Sequence, residues 1–249
     1  MSTTVAGNKY ERILLKISGE YLSQSNGNSI DVTTLDRLTA TIKNILDLGV
    51  QVGLVIGGGN FLRGSTLESL GMDRVAGDYM GMLATLMNGI AMRDALERSD
   101  VSTRLLSAIP VAGIAQDYNY RNAMHYLQSN EVVIFAGGTS NPFFSTDSAA
   151  CLRAIEIQAD VVIKATLVDG IYSSDPKLDT KAKIYRKIDY NTVIAKELAV
   201  MDMTAVCLAR DYHLPIVVFN IDDENALQKL IQGKCVGTKV THCKGDILE

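Results

Sequence analysis

Tryptophan is absent from this 249-residue chain, aromatic residues make up 6% of it, and the four prolines and four cysteines are widely scattered. With 47% of the residues hydrophobic, the core must therefore be aliphatic, built from Ile, Val, Leu, Ala and Met. Cys151, Cys207, Cys235 and Cys243 show no short paired spacing, which argues against a disulfide frame or a zinc site and reads as reduced, intracellular thiols. No apolar run approaches the roughly 20 residues that span a bilayer. The polar start, residues 1–11, lacks the apolar stretch of a secretory signal, so a cytoplasmic location is expected. A formal net charge of -4 argues against coating nucleic acid or lying on an anionic membrane, while leaving room for a local basic site. Two familiar phosphate signatures are also missing. Gly233-Lys234-Cys235 lacks the upstream glycine and the hydroxyl of a P-loop, and Leu62 stands where a G-x-G-x-x-G motif needs its third glycine.

What is present is an alternation of short β-rich apolar runs with longer helical patterns. Strands are expected at 12–18, 51–56, 103–107, 131–136, 160–165, 183–188, 215–220 and 236–241. Helices are expected at 33–48, 73–98, 119–128, 146–158, 203–212 and 224–231. This order implies an α/β fold in three layers, a mainly parallel sheet covered on both faces. No repeat, low-complexity linker or composition shift divides the chain, so 1–249 reads as one domain. In open sheets of this kind ligands sit beyond the carboxyl ends of the strands, which is where chemistry is to be sought.

At those ends stand small and charged residues. Lys16 lies inside the apolar run 14–17, where a lysine is costly unless paired. Its ammonium could neutralise a transferring phosphoryl group, or it could simply snorkel to water. Gly57-Gly58-Gly59 would let the backbone approach a phosphate closely, with Arg63 adding a charge-assisted contact. Asp78 could accept hydrogen bonds from ligand hydroxyls such as those of a ribose, or could merely complement a helix dipole. Met80, Met82, Met87 and Met92 suit a core or a subunit contact.

The segment 136–147 says most. Two glycines, the hydroxyls of Thr139, Ser140, Ser145 and Thr146, and the amide of Asn141 precede a helix whose N-terminus could cradle an anion. Ser145 or Thr146 can cap that helix. After Pro142, Phe143 and Phe144 look like a wall for a flat ring, and Asp147 in the first turn could hold Lys16 and an acceptor in place. Lys164 repeats the oddity of Lys16. With Thr166, the Asp169-Gly170 turn, Tyr172 and Asp175-Pro176 it suggests a wall for a donor's base and ribose.

These residues match a known pattern. Over nearly its whole length, from Arg12 through Thr241, the chain resembles the amino acid kinase superfamily and, within it, the bacterial uridylate (UMP) kinases. The carrying motifs are Leu-Leu-Lys-Ile-Ser-Gly-Glu at 14–20, Val-Ile-Gly-Gly-Gly-Asn at 55–60, Arg63-Gly64, the run 77–85, the run 138–150, and Lys164-Ala165-Thr166 with 168–170 and Asp175-Pro176. The resemblance implies an amino acid kinase-like fold and a homohexameric, Mg-ATP-dependent enzyme that makes UDP from UMP by direct in-line transfer in de novo pyrimidine synthesis. It implies ATP contacts from Lys16, Ile17, Ser18, Gly19, Gly59, Arg63, Thr166, Tyr172 and Asp175. UMP contacts would come from Gly58, Asp78, Thr139, Ser140, Asn141, Pro142, Phe143, Phe144, Ser145 and Thr146, and Lys16 and Asp147 would assist transfer. Mg²⁺ is expected on the phosphates and water, with no protein ligands named. No lysine occurs between Lys196 and Lys229, where other superfamily members place a second catalytic one; that counts against amino acid and carbamate kinases. Ser140 and Ser145 stand where Gly and Thr are common. GTP and UTP enter as effectors by the same resemblance, with Arg93 and Arg104 at basic effector positions but Glu97 and Glu131 where basic residues are frequent. The tail 242–249 has no assigned role.

Overall fold

Near-continuous apolar runs in the central strands require the sheet to be covered on both faces. In the computed structural model, residues 8–23, 29–62, 71–174, 179, 181–198, 200–223 and 225–249 are described. Their strands are β1 (Arg12–Ile17), β2 (Gln51–Ile56), β3 (Thr103–Ser107), β4 (Gln116–Asp117), β5 (Val132–Ala136), β6 (Val161–Thr166), β7 (Tyr185–Ile188), β8 (Ile216–Asn220), β9 (Thr238–Val240) and β10 (Ile247–Leu248). They form one sheet in the order β10-β7-β9-β8-β6-β1-β2-β5-β3-β4. The run from β8 to β4 is parallel throughout; β9 lies antiparallel to β8, and β10 antiparallel to β7.

Ile13, Leu15 and Ile17 of β1 join one core, with Leu54 of β2, Ile134 of β5 and Ile163 of β6. That face is closed by α1 (Val32–Leu46), α2 (Arg74–Glu97) and α7 (Ala226–Ile231). Leu14, Val55, Val133 and Val162 turn the other way, onto α3 (Tyr120–Gln128), α4 (Thr146–Glu156), α5 (Tyr190–Ala195) and α6 (Met203–Asp211). The expected α/β sandwich with a mainly parallel sheet is therefore the fold. Met82 and Met92 of α2 are core, as one of the two readings has it, while Met87 is exposed.

Helix starts follow their caps. Asp31, Asp73, Asn119, Ser145 and Asp202 each accept a backbone N–H from the first turn that follows. Most expected elements occur within two or three residues of their bounds. Three short ones carry too little periodicity to be anticipated: β4, α5 and β10. The tail is docked: the Asp189 N–H donates to Asp246 at 2.9 Å, and the Asp189 carboxylate accepts from Cys243 N at 2.9 Å while capping α5. The carboxyl ends of β1, β2, β5 and β6 lie side by side, so the turns after Ile17, Ile56, Ala136 and Thr166 share one rim of the sheet.

Asp189→Ala removes a helix cap and the clasp on the tail together. It is expected to lower stability by about 1 kcal/mol in denaturant unfolding and to speed tryptic cleavage after Lys244. An unchanged midpoint with unchanged cleavage would show that the clasp holds nothing.

Candidate active site

Lys16 and Lys164 are direct partners across the parallel β1–β6 ladder, so their side chains leave the sheet on the same face, toward α4. Asp147, in the first turn of α4, stands between them. One carboxylate oxygen lies 2.7 Å from the Lys16 ammonium and the other 2.7 Å from that of Lys164. Among the described residues Lys16 pairs with Asp147 alone, whereas Lys164 donates to Asp147 and also to the Val200 carbonyl at 2.6 Å. Lys16 is 7% exposed and Asp147 8%. Burial alone would raise the Asp147 carboxyl, but the Lys16 and Lys164 charges outweigh it and hold the group below the usual carboxylate range. Burial pushes Lys164 down, against the opposing pull of Asp147. The cluster carries one surplus positive charge at the rim where the turns converge.

Two of these turns touch backbone to backbone. A Cβ on Gly19 would lie 2.3 Å from the Gly57 carbonyl oxygen, and one on Gly58 would lie 2.7 Å from that of Gly81, so neither position accepts a side chain. The buried Asn88 of α2 fixes this contact: its amide donates to Gly57 O at 2.7 Å and to the Asn60 side chain at 2.8 Å, and Asn60 donates back at 2.9 Å. Nothing in the sequence marks Asn88 beyond its being polar within a Met-rich helix.

The turn after β5 is held in a costly shape. Ser140 has φ +65° and Phe143 φ +71°, conformations that favour glycine. Arg153 of α4, 5% exposed, donates to the Gly138 carbonyl at 3.3 Å, pairs with Glu156 at 2.7 Å and stacks 3.7 Å over the Tyr118 ring. Thr85 accepts the Gly137 N–H at 2.9 Å. Asp78 lies a full turn inside α2, pairs with Arg74 at 3.0 Å and accepts the Phe143 N–H at 2.7 Å. The reading of Asp78 as an acid at a helix start does not hold; it fastens the loop. Ser145 caps α4 by accepting from Asp147 N and Ser148 N, and its hydroxyl donates to Asp202, which also receives Ser148 Oγ and caps α6.

Two clefts open beside the charged cluster. One, of about 240 Å³, is lined by Gly58, Gly59, Asp78, Met82, Phe144 and Thr146 among others. The second, of about 370 Å³, is lined by Lys164, Thr166, Tyr172, Leu198 and Val200 among others. Asp147 follows Thr146 in the chain and binds Lys164, so it stands between the two. Phe144 is a wall of the first cleft, but the Phe143 ring points outward beneath Arg74. Thr139, Ser140, Asn141 and Pro142 form the turn beyond it, with Asn141 bonded to Thr139 at both its backbone and its side-chain nitrogen. The Ile17 side chain is buried in the opposite core, so only its backbone can meet a ligand, and Ser18 and Gly19 continue the same turn. Arg63 and Asp175 lie outside the described residues. Sequence reasoning missed Asn88, Arg153 and Asp202, and gave Lys164 no place in the cluster.

Residues 11–220 match the model of the amino acid kinase family. The uridylate kinase of Psychromonas ingrahamii is 57% identical over 235 residues, covering 94% of each chain. That of Vibrio cholerae is 56% identical over 232 residues, 93% of this chain and 96% of the relative. Among solved structures, a UMP kinase from Bacillus anthracis superposes with a TM-score of 0.93 at 39% identity, covering 96% of this chain and 99% of that one. A UMP kinase from Ureaplasma parvum gives 0.88 at 36% identity, covering 94% and 100%.

The lowered Asp147 value has a definite sign in stability. Its contribution is complete above the unfolded value of about 3.9 and is lost as pH falls through the lower folded value. The stability gap between the native chain and Asp147→Asn is therefore expected to be full near neutrality and to narrow only below about pH 4. A gap that closed at higher pH would contradict an ion-paired Asp147. Asn88→Ala, which strands the Gly57 carbonyl, is expected to cost about 1–3 kcal/mol in chemical unfolding.

Proposed function

The chain belongs to the amino acid kinase family and, within it, to the uridylate kinases; from that premise we propose that it transfers the terminal phosphoryl group of ATP to UMP, giving UDP and ADP. The observation that carries the reading is the Lys16–Asp147–Lys164 cluster standing between two clefts. In phosphoryl transfer the protein has little covalent work to do, so position and charge decide the rate.

On this reading ATP occupies the cleft of Thr166 and Tyr172. Its phosphates run over the backbone of Lys16, Ile17, Ser18, Gly19 and Gly59, with Arg63 and Asp175 contributing as the resemblance implies. UMP occupies the other cleft, its ribose hydroxyls at Asp78, its phosphate toward Gly58 and Thr146 at the N-terminus of α4, and its ring against Phe144. The turn of Thr139, Ser140, Asn141, Pro142, Phe143 and Ser145 closes over it. Lys16 then neutralises charge on the group in flight while Asp147 holds that lysine between the two phosphates, and transfer is direct and in line.

Among the described residues no group of three His, Cys, Asp or Glu side chains converges to hold a metal, and Asp147 is already committed to two lysines. That donor set fits a Mg²⁺ carried on the nucleotide's phosphates and water. Such an ion would supply further charge neutralisation at the phosphate oxygens.

Three wider parts of the reading follow the same premise. Tyr79, Leu83 and Met87 are 44–48% exposed at four-residue spacing along α2, an apolar stripe that supports self-association and accords with a hexamer. GTP and UTP are carried as effectors. Arg104 is a weakened candidate for them, since it pairs with Glu131 at 2.6 Å and lies over Tyr126, whereas Arg93 donates to the Ile114 carbonyl. The place of action is the cytoplasm, in pyrimidine nucleotide synthesis.

An assay of ADP release with UMP, CMP, GMP and AMP tests the central claim. Release should depend on Mg²⁺ and on UMP, with the other three poor acceptors; equal use of CMP, or turnover of a carboxylate or carbamate instead, overturns it. Lys16→Met should lower kcat by about 100- to 1,000-fold with much smaller change in UMP binding. Equal losses in both would reduce Lys16 to a binding contact.

A further inference from the structure

The transfer mechanism given above uses Lys16 and Asp147 but leaves a second, half-buried cation, Lys164, without a task. A lysine so placed is costly in a dry layer, the more so with another lysine as its register partner. The two ammonium groups differ in how they are held. Lys164 makes two well-directed bonds, to Asp147 at 2.7 Å and to the Val200 carbonyl at 2.6 Å, so its position is set by the protein. Among the described residues the Lys16 ammonium pairs with Asp147 and has no second anchor comparable to the Val200 carbonyl. Among these residues Lys16 is thus tied by Asp147 alone, and Lys164 by two partners.

We propose that Lys164 is a positioning residue for phosphoryl transfer, holding one oxygen of Asp147 so that the other stays aimed at Lys16 and the gap between the clefts. This rests on the kinase reading. Lys164 acts on the reacting atoms through Asp147, while its own side chain also lines the larger cleft. Its second bond has a further consequence: Val200 and Leu198 wall the larger cleft, so the lysine ties that wall to the carboxylate. The charged and titratable groups acting around Asp147 are Lys16 from β1, Lys164 from β6, Cys151 one turn along α4, and Asp202 ahead of α6. Of these, Lys16 and Lys164 favour the ionised carboxylate.

The test is steady-state kinetics of Lys164→Met with ATP and UMP, from acid to neutral pH. The expected result is a kcat lower by about 100-fold with both KM values within about threefold of native. The acid limb of kcat should move to higher pH, because Asp147 keeps one of its two cations, and Lys164→Arg should move it back. In an Asp147→Asn background, Lys164→Met should cost little more, since the carboxylate through which it acts is gone. A merely structural lysine would instead lower the melting temperature and leave the acid limb in place. Native kcat in Lys164→Met, an unmoved acid limb, or a full further loss in the Asp147→Asn background overturns the proposal. If Lys164→Met does not fold, Lys164→Gln, neutral but still able to donate one hydrogen bond, reads the same quantities. Absence of turnover by the native chain overturns the kinase reading and this inference together. Native turnover with an unimpaired Lys164→Met overturns the inference alone.

Discussion

Two lysines in register on neighbouring parallel strands cannot both be carried into a dry layer without a counter-charge, and the architecture around the strand ends answers that constraint. At an effective dielectric of about 20, unit charges about 4 Å apart interact by about 4 kcal/mol. Asp147 makes two attractions of this order against one repulsion between cations that lie on opposite sides of it. Desolvating each ion costs several kcal/mol, so the cluster is a poor source of stability. Its effect lies elsewhere: a preset field at the meeting point of two clefts, with one positive charge unneutralised.

Keeping that field in place requires the carboxylate to be delivered at a fixed height above the sheet, and the helix caps do this. Ser145 sets where α4 begins, and Asp202 holds both Ser145 and Ser148 while starting α6. The Val200 carbonyl that anchors Lys164 lies two residues before Asp202, so the lysine, the acid and both helix starts form one connected structure. The turns flanking it are fastened by side-chain bonds to their backbone: Asn88 to Gly57, Arg153 to Gly138, Thr85 to Gly137. Left-handed Ser140 and Phe143 persist because these fasteners over-determine the loop.

The layered α/β architecture was legible because each long element buries a regular stripe, which period two or period 3.6 exposes in one dimension. The six residues of α5 and the two each of β4 and β10 are too few for either period to show. Within the site, the legible residues were those whose type clashes with its neighbours: a lysine among leucines, a run of glycines, an acid after a Ser-Thr cap. Asn88 and Arg153 were not legible, since a polar residue in a helix looks the same whether it faces water or a carbonyl 31 or 15 positions away. Lys164 stood out for the same reason as Lys16. Only the β1–β6 register, a tertiary fact, joins the two.

The strand parity that makes two cores also decides which residues can act. In β1, Leu14 and Lys16 share one face while Leu15 and Ile17 share the other; in β6, Val162 and Lys164 match the first pair and Ile163 and Ala165 the second. A shift of either strand by one residue would carry its lysine into the aliphatic core under α1 and α2, away from Asp147. Ile17 offers a ligand its backbone alone for the same reason. The pairing register of two strands, fixed by aliphatic packing along their whole length, is therefore also what brings the two cations to one carboxylate. Core packing and site chemistry are set by a single choice of register.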